Sequence, residues 1–287
     1  MAVAAVALAP NFLPMSAASV REVVDAASAA GVDGLSISID QHDWAVADDM
    51  TSDSFLEYHH ERGLAIPAAE VILGWTNADR EAVEEANIHV LDIAARSGAR
   101  TVITATLASG LPPLSEAAIW LQHLCDLAAD RGLLISFEFL PWTAVPTVAS
   151  AVRLIDAVDR DNLGLVIDAW HWFRQPGGPD LATLRSVPPE RIHVLHLDDA
   201  SSEPPPDLMM ESGTARLLPG EGAVDIVDLV NLIDDIGATP MVASEVFSSS
   251  LRTLGAFENA RRQYVAAQDV LLRSRQESPP ASTNNPT

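Results

Sequence analysis

The chain is punctuated by glycine. Five times an amphipathic stretch ends at a glycine, and a short apolar run begins directly after it. The stretches are AAGVDGLSIS at Gly31, ERGLAIPAAE at Gly63, RSGARTVITA at Gly98, DRGLLISFEF at Gly132 and DIGATPMVAS at Gly237. Glycine enters the left-handed conformation at low steric cost, so it ends a helix and lets the chain turn back. The runs that follow are rich in Val, Ile and Leu with little alternation, as expected of strands covered on both faces. NLGLVID and RIHVLHL fit the same role without a preceding glycine, and AVAAVALA supplies a first strand. Eight strands thus alternate with helices. The helices are expected over 16–30, 52–62, 114–131, 145–157, 224–236 and 253–274, before Gly98 and, with the weakest pattern, near 179–186. In the 114–131 segment, Ala117, Trp120, Leu121, Leu124 and Ala128 share one helical face.

Alternating β and α units imply a parallel sheet, and eight of them imply a closed (β/α)8 TIM barrel in a single domain, residues 1–274. A doubly wound open sheet is the rival. No G-x-G-x-x-G or G-x-x-x-x-G-K-[ST] follows any strand, which counts against it. The end, RQESPPASTNNPT, has no apolar face, so 275–287 reads as a disordered tail. The segment 199–223 is too long and too rich in Pro and Gly to be a simple connector.

Charge narrows the partners. Forty acidic side chains against seventeen Lys and Arg give a net charge of −23, which repels phosphate backbones and anionic lipid. Neither nucleic acid nor a membrane is an expected partner. The one cysteine, Cys125, falls in a helical pattern and reads as a small core residue. The apolar N-terminus lacks the basic residues of a signal peptide, the first Lys or Arg being Arg21. No apolar run reaches the roughly 18 residues of a membrane span. The expected protein is soluble and cytoplasmic; whether it assembles with copies of itself is open.

Barrel chemistry gathers at the C-terminal ends of the strands. There the sequence places Asn11, Asp40, His42, Glu70, Glu138, Asp168, His196 and Glu245. Glu138, Asp168, His196 and Glu245 are ionisable groups within or at the end of apolar strands. Buried together, the carboxylates would repel, and a divalent cation removes that cost. Three carboxylates and one imidazole suit Mn²⁺ or Mg²⁺ by ligand hardness, with Co²⁺ or Zn²⁺ as alternatives. Taken singly, each has a structural reading: Asp168 could cap the next helix, and His196 could be a hydrogen-bonded core histidine. His171, three past Asp168, and Arg216, in the long loop, are candidate substrate contacts. Trp142 in FLPW could stack on a sugar-like ring or pack the rim, and Trp75 is a weaker version of it. Glu70 and His42 could line the pocket. His193, three before His196, should face the opposite way and is read as structural.

EFLPW, GLVIDAWHW, HVLHLDDA, the R-x-x-P-G-E-G run at 216–222 and SEVFS resemble the xylose isomerase-like TIM barrels, the sugar isomerase/epimerase superfamily. The resemblance is strongest from residue 133 onward. It implies a metal held by Glu138, Asp168, His196 and Glu245, with His171 and Arg216 binding substrate and Asp199 at an acidic position after the strand-seven histidine. It also implies a polyhydroxy-carbonyl substrate, such as a ketose or inosose. A proton next to a metal-bound carbonyl would be removed, with Glu138 and Glu245 as base and acid. Isomerase and epimerase outcomes come first; a dehydratase or lyase, or a non-catalytic accessory barrel, is the alternative.

Overall fold

The computed structural model describes residues 6–9, 17–47 and 50–277. The expected strand end at Asn11 and the last ten residues of the expected tail lie outside them. Among the described residues, nine strands form one parallel sheet. They are β1 (Val6–Leu8), β2 (Gly34–Leu35), β3 (Ile37–Ser38), β4 (Ala68–Ile72), β5 (Thr101–Thr104), β6 (Leu134–Glu138), β7 (Leu163–Asp168), β8 (Ile192–Leu197) and β9 (Met241–Ser244). The order is β2-β1-β9-β8-β7-β6-β5-β4-β3. The two ends of that order, β2 and β3, are separated in sequence by Ser36 alone. They are two parts of one stave, so the sheet closes into an eight-stave barrel. Gly34 and Leu35 pair with Ala7 and Leu8, while Ile37 and Ser38 pair with Ala69 and Glu70. Gly34 sits where the backbone passes closest: a Cβ there would lie 2.9 Å from the Ala65 carbonyl oxygen.

The punctuation works as the sequence implies. Gly31, Gly63, Gly98, Gly132 and Gly237 all have φ between 70° and 84°. Before β7, where no glycine stands, Asp159 takes the left-handed position with φ 52°. The expected helices fall near their places, among them Ala17–Ala30, Leu114–Ala129, Val148–Val158, Leu181–Ser186 and Ile226–Ile236. The last helix, Ala256–Glu277, takes in the first three residues of the expected tail. Cys125 is fully buried in the core, as read. Four short helices were not foreseen: Ile39–Ala47, Ala169–Arg174, Leu208–Thr214 and Ser249–Arg252. Two of them, Ile39–Ala47 and Ala169–Arg174, follow directly on strand ends, Ser249–Arg252 follows β9 after residues 245–248, and Leu208–Thr214 lies inside the long 199–223 segment. No helix among the described residues is long and apolar enough to cross a membrane.

The barrel interior is layered. Ala68, Ile103, Val166 and Val194 pack together as a buried apolar plug with Met241 against them. Side chains alternate along a strand, so the residues two positions further on face the same interior. Those residues include Glu70, Asp168 and His196. The plug therefore forms the dry floor of the polar site.

His193 departs from the expected direction. The β7–β8 register pairs Leu165 with Ile192 but Val166 with Val194, so His193 is one extra residue and alternation breaks there. Its Nδ1 lies 3.1 Å from Ser136 Oγ, which in turn is 2.6 Å from Thr101 Oγ1. The ring fills space beside Gly164, inside the barrel. Burial, with Arg100 adding to it, pushes this imidazole down to about 4, so it is a neutral packing group. A Cβ at Gly164 would overlap the His193 ring and the Arg191 carbonyl. Gly164→Ala is expected to cost roughly 1–3 kcal/mol in urea denaturation, the usual range for overpacking. His193→Ala in the same chain should recover part of that loss.

Candidate metal centre

Four staves bring four side chains of metal-binding type to one point. Glu138 closes β6, Asp168 closes β7, His196 lies in β8 and Glu245 follows β9. One donor atom from each lies within 4.8 Å of the other three. His196 Nδ1 is 3.3 Å from Glu245 Oε2, 3.6 Å from Glu138 Oε1 and 3.8 Å from Asp168 Oδ2. Asp168 and His196 are register partners across β7 and β8. Both readings of Asp168 hold at once. Its Oδ1 accepts the His171 N–H at 2.8 Å and so caps helix Ala169–Arg174, while Oδ2 faces the cluster.

These atoms are otherwise unsatisfied. Glu138 Oε1 and both ring nitrogens of His196 are buried without a hydrogen-bond partner. Unpaired buried polar atoms are costly, and their convergence here fits a cation held between them. One nitrogen and three carboxylates form a mostly oxygen donor set, suited to a hard or borderline divalent ion.

Arg216 comes from the far end of the long loop and is buried. Its Nη1 donates to Asp168 Oδ2 at 2.7 Å, to Glu245 Oε2 at 3.1 Å and to Asp198 Oδ2. Its Nε donates to the Ser212 carbonyl and its Nη2 to Ser212 Oγ, both at 2.9 Å. The sequence set Arg216 against the substrate. In the structure all three of its nitrogens are engaged by protein groups, among them the carboxylates of Asp168, Asp198 and Glu245. Arg174 steadies the same loop through a buried ion pair with Glu211 at 2.7 Å.

Asp198 was missed. The residue singled out was Asp199, but its carboxylate organises the loop: Oδ1 accepts the N–H of Ala200 and Val224, and Oδ2 those of Gly220 and Gly222. Asp198 is the one at the centre, with Oδ1 accepting the Trp170 N–H at 2.8 Å. The signal was available: Asp198 is two residues past His196, so strand alternation puts both on one face.

The other candidates divide. His171 is buried, its Nε2 4.0 Å from Glu138 Oε1 and from Asp168 Oδ1 and 3.3 Å from Arg216 Nη2. Arginine can only donate, so Nε2 accepts and the proton sits on Nδ1, which is buried without a partner. Trp142 is partly buried, with its ring 5.5 Å from His171 and 6.0 Å from Trp170. Glu70 reaches the same interior from β4, and its Oε1 is buried and unpaired. Trp75 is a core residue, not a stacking platform: it is fully buried and donates Nε1–H to the Ala105 carbonyl at 2.8 Å. His42 belongs to helix Ile39–Ala47 and is engaged by Asp43 and Ser52.

Five carboxyl groups and one guanidinium leave a large negative excess. The protein meets part of it with protons. Burial, then the charges of Glu245 and Asp168, push Glu138 up to about 7 against the pull of His196. Burial and Glu245 push Glu70 up to about 8. Asp198 is raised well above the usual range by burial and Asp168. Burial works against ionised Asp168, but Arg216, His171 and His196 hold it below the usual range. Burial holds His171 near 4, hence neutral, whereas Glu245 and Glu138 overcome burial to raise His196.

Comparison with known proteins agrees with the barrel fold. Residues 24–274 match the model of a family described as xylose isomerase-like TIM barrel. The chain is 27% identical over 230 residues to an inosose isomerase of Bacillus velezensis, covering 76% of this chain and 79% of that one. A 30% identical match to the inosose isomerase of Bacillus subtilis covers 53% of this chain and spans 54% of that enzyme's length. A 3-dehydroshikimate dehydratase of Pseudomonas aeruginosa is 31% identical over 49% of this chain and 22% of its own. Among solved structures, the IolI protein with a bound zinc atom superimposes with a TM-score of 0.82 at 21% identity, covering 94% of this chain and 98% of that one.

Proposed function

The chain belongs to the xylose isomerase-like TIM barrel family, and from that premise we propose that it is a divalent-metal-dependent isomerase or epimerase of an inosose or related polyhydroxy-carbonyl compound. The observation that carries the reading is the convergence of Glu138, Asp168, His196 and Glu245, with buried atoms of Glu138 and His196 unpaired. Those four side chains would hold the cation. When bound, it supplies Lewis-acid stabilisation of negative charge developing on substrate oxygen, which acidifies the neighbouring C–H bond.

The chain's own groups do the rest. Glu245 and Glu138 flank His196 and are the candidates to take the proton and to return it. His171, neutral with its proton on Nδ1, offers a donor to a substrate oxygen. Trp142 supplies an apolar wall beside it. Arg216 keeps Asp168 ionised and, through Nη1, orients both Asp168 and Glu245. Proton return to the neighbouring carbon makes an isomerase, and return to the other face of the same carbon an epimerase.

A dehydratase is the second reading, favoured by Glu70. A carboxyl raised to about 8 carries its proton at neutral pH, and from the same interior it could protonate a departing hydroxyl. Incubation with inososes, ketoses, hydroxypyruvate and dehydroshikimate, each with Mn²⁺, Mg²⁺, Co²⁺ or Zn²⁺, separates the readings by NMR of the product. An isomerised or epimerised product of unchanged mass supports the first. Loss of water supports the second. No conversion of any compound with any ion contradicts both.

The raised Glu138 also sets a pH dependence. Below about 7 the free protein holds a proton on this ligand, and the cation must displace it. Metal affinity should therefore fall as pH falls: His196, raised well above its ordinary range, holds a proton that the cation must displace even above pH 7, and Glu138 adds a second below about 7, where the slope should steepen by roughly a further tenfold per pH unit. Calorimetric titration with Mn²⁺ at several pH values, in two buffers of different ionisation enthalpy, measures both the slope and the protons released.

A further inference from the structure

A second group of metal-binding side chains shares no residue with the centre described above. His42 and Asp43 lie on helix Ile39–Ala47, and His89 lies on the helix Arg80–Ser97. One donor atom from each falls within 4.8 Å of the other two. His42 Nδ1 is 2.8 Å from Asp43 Oδ1. His89 Nε2 is 3.0 Å and 3.1 Å from the two Asp43 oxygens. From this arrangement we infer that His42, Asp43 and His89 form a second divalent-metal site, suited to Zn²⁺ or a similar borderline ion, that ties the two helices together.

Three features support a built site. The His42 ring is buried and stands edge-on to Phe55 at 5.2 Å and 87°, so its direction is fixed before any ligand arrives. Its other nitrogen, Nε2, lies 2.8 Å from Ser52 Oγ. Donation from Nε2–H to that hydroxyl leaves the Nδ1 lone pair facing Asp43, the arrangement in which metal-bound histidines are held. Asp43 and His89 are about half exposed, at 47% and 51%, which leaves the remaining coordination positions to water. Two imidazoles and one carboxylate are a softer donor set than the three carboxylates and one imidazole of the centre. The two sites should therefore differ in metal preference, the outer one favouring Zn²⁺ over Mg²⁺ or Mn²⁺. The net charge of −23 raises the local concentration of any cation.

Asp43 could instead accept an N–H from each histidine and need no ion, and the test separates these. The full-length protein is dialysed against micromolar Zn²⁺, and bound metal is counted by mass spectrometry. Wild type should hold two ions per chain, His89→Ala one, Glu245→Gln one and the double variant none. Asp43→Asn, also at an exposed position, should behave as His89→Ala does. If both outer-site variants bind as much Zn²⁺ as wild type, the three residues form a hydrogen-bonded group only and the inference is overturned. Failure of the centre would show separately, as Glu245→Gln retaining the wild-type amount. With Co²⁺ in the Glu245→Gln protein, visible absorption bands should be present and should vanish on adding His89→Ala.

Discussion

Glutamine in place of Glu245 is expected to lower the rate of C–H proton exchange by about 10³-fold or more, the joint loss of a proton carrier and a metal ligand. The substitution keeps volume and shape, and its amide oxygen can still accept from Arg216 Nη1, which lies 3.1 Å from the native Oε2. It removes the charge and the basicity. The same oxygen is the one closest to His196, at 3.3 Å, so the imidazole also loses its nearest counter-charge. Single-turnover exchange, followed beside metal content, distinguishes the two contributions. Metal content should fall by the central ion, and exchange that stays lost when excess Mn²⁺ refills the centre shows that Glu245 also acts on the proton. Unchanged exchange would remove Glu245 from the chemistry.

The largest effect on stability is expected at Arg216. Methionine there fills a similar volume but leaves Asp168, Asp198 and Glu245 without their guanidinium. Breaking a buried ion pair from one side typically costs about 3–5 kcal/mol, because the partner charge stays buried and unpaired. Denaturation of Arg216→Met in the presence of chelator should show a loss of that order. Added Mn²⁺ should reduce the loss, since a cation would take over part of the neutralisation. Asp168→Asn in the same chain should recover part of the stability, because it removes the charge that Arg216 holds ionised. A loss equal with and without metal would mean that Arg216 and the metal ligands are not one electrostatic unit.

Much of this was legible in the sequence. The glycines that end helices and the apolar runs behind them define the staves, and strand-end polarity marks Glu138, Asp168, His196 and Glu245. What was not legible has local causes. The β7–β8 register jump at His193 cannot be read from a single strand, and it turns that side chain inward. Ser36 divides the second stave into two short pieces because pairing passes from β1 on one side to β4 on the other. Short helices such as Ala169–Arg174 leave no amphipathic period, being too brief and, in that case, nearly all buried. Arg216 looks like a free cation in a loop until the fold folds that loop over the strand ends. Asp198 was readable from strand alternation alone.

The central claim is that four strand-end side chains use a divalent cation to acidify a C–H bond next to a carbonyl. Its most direct test is deuterium incorporation from heavy water into an inosose, followed by mass spectrometry with metal-loaded and chelator-treated protein side by side. The account predicts incorporation at one carbon, beside the carbonyl, that stops on chelation and returns when Mn²⁺ is restored. Incorporation that persists without metal, or its absence from the loaded protein, would contradict it.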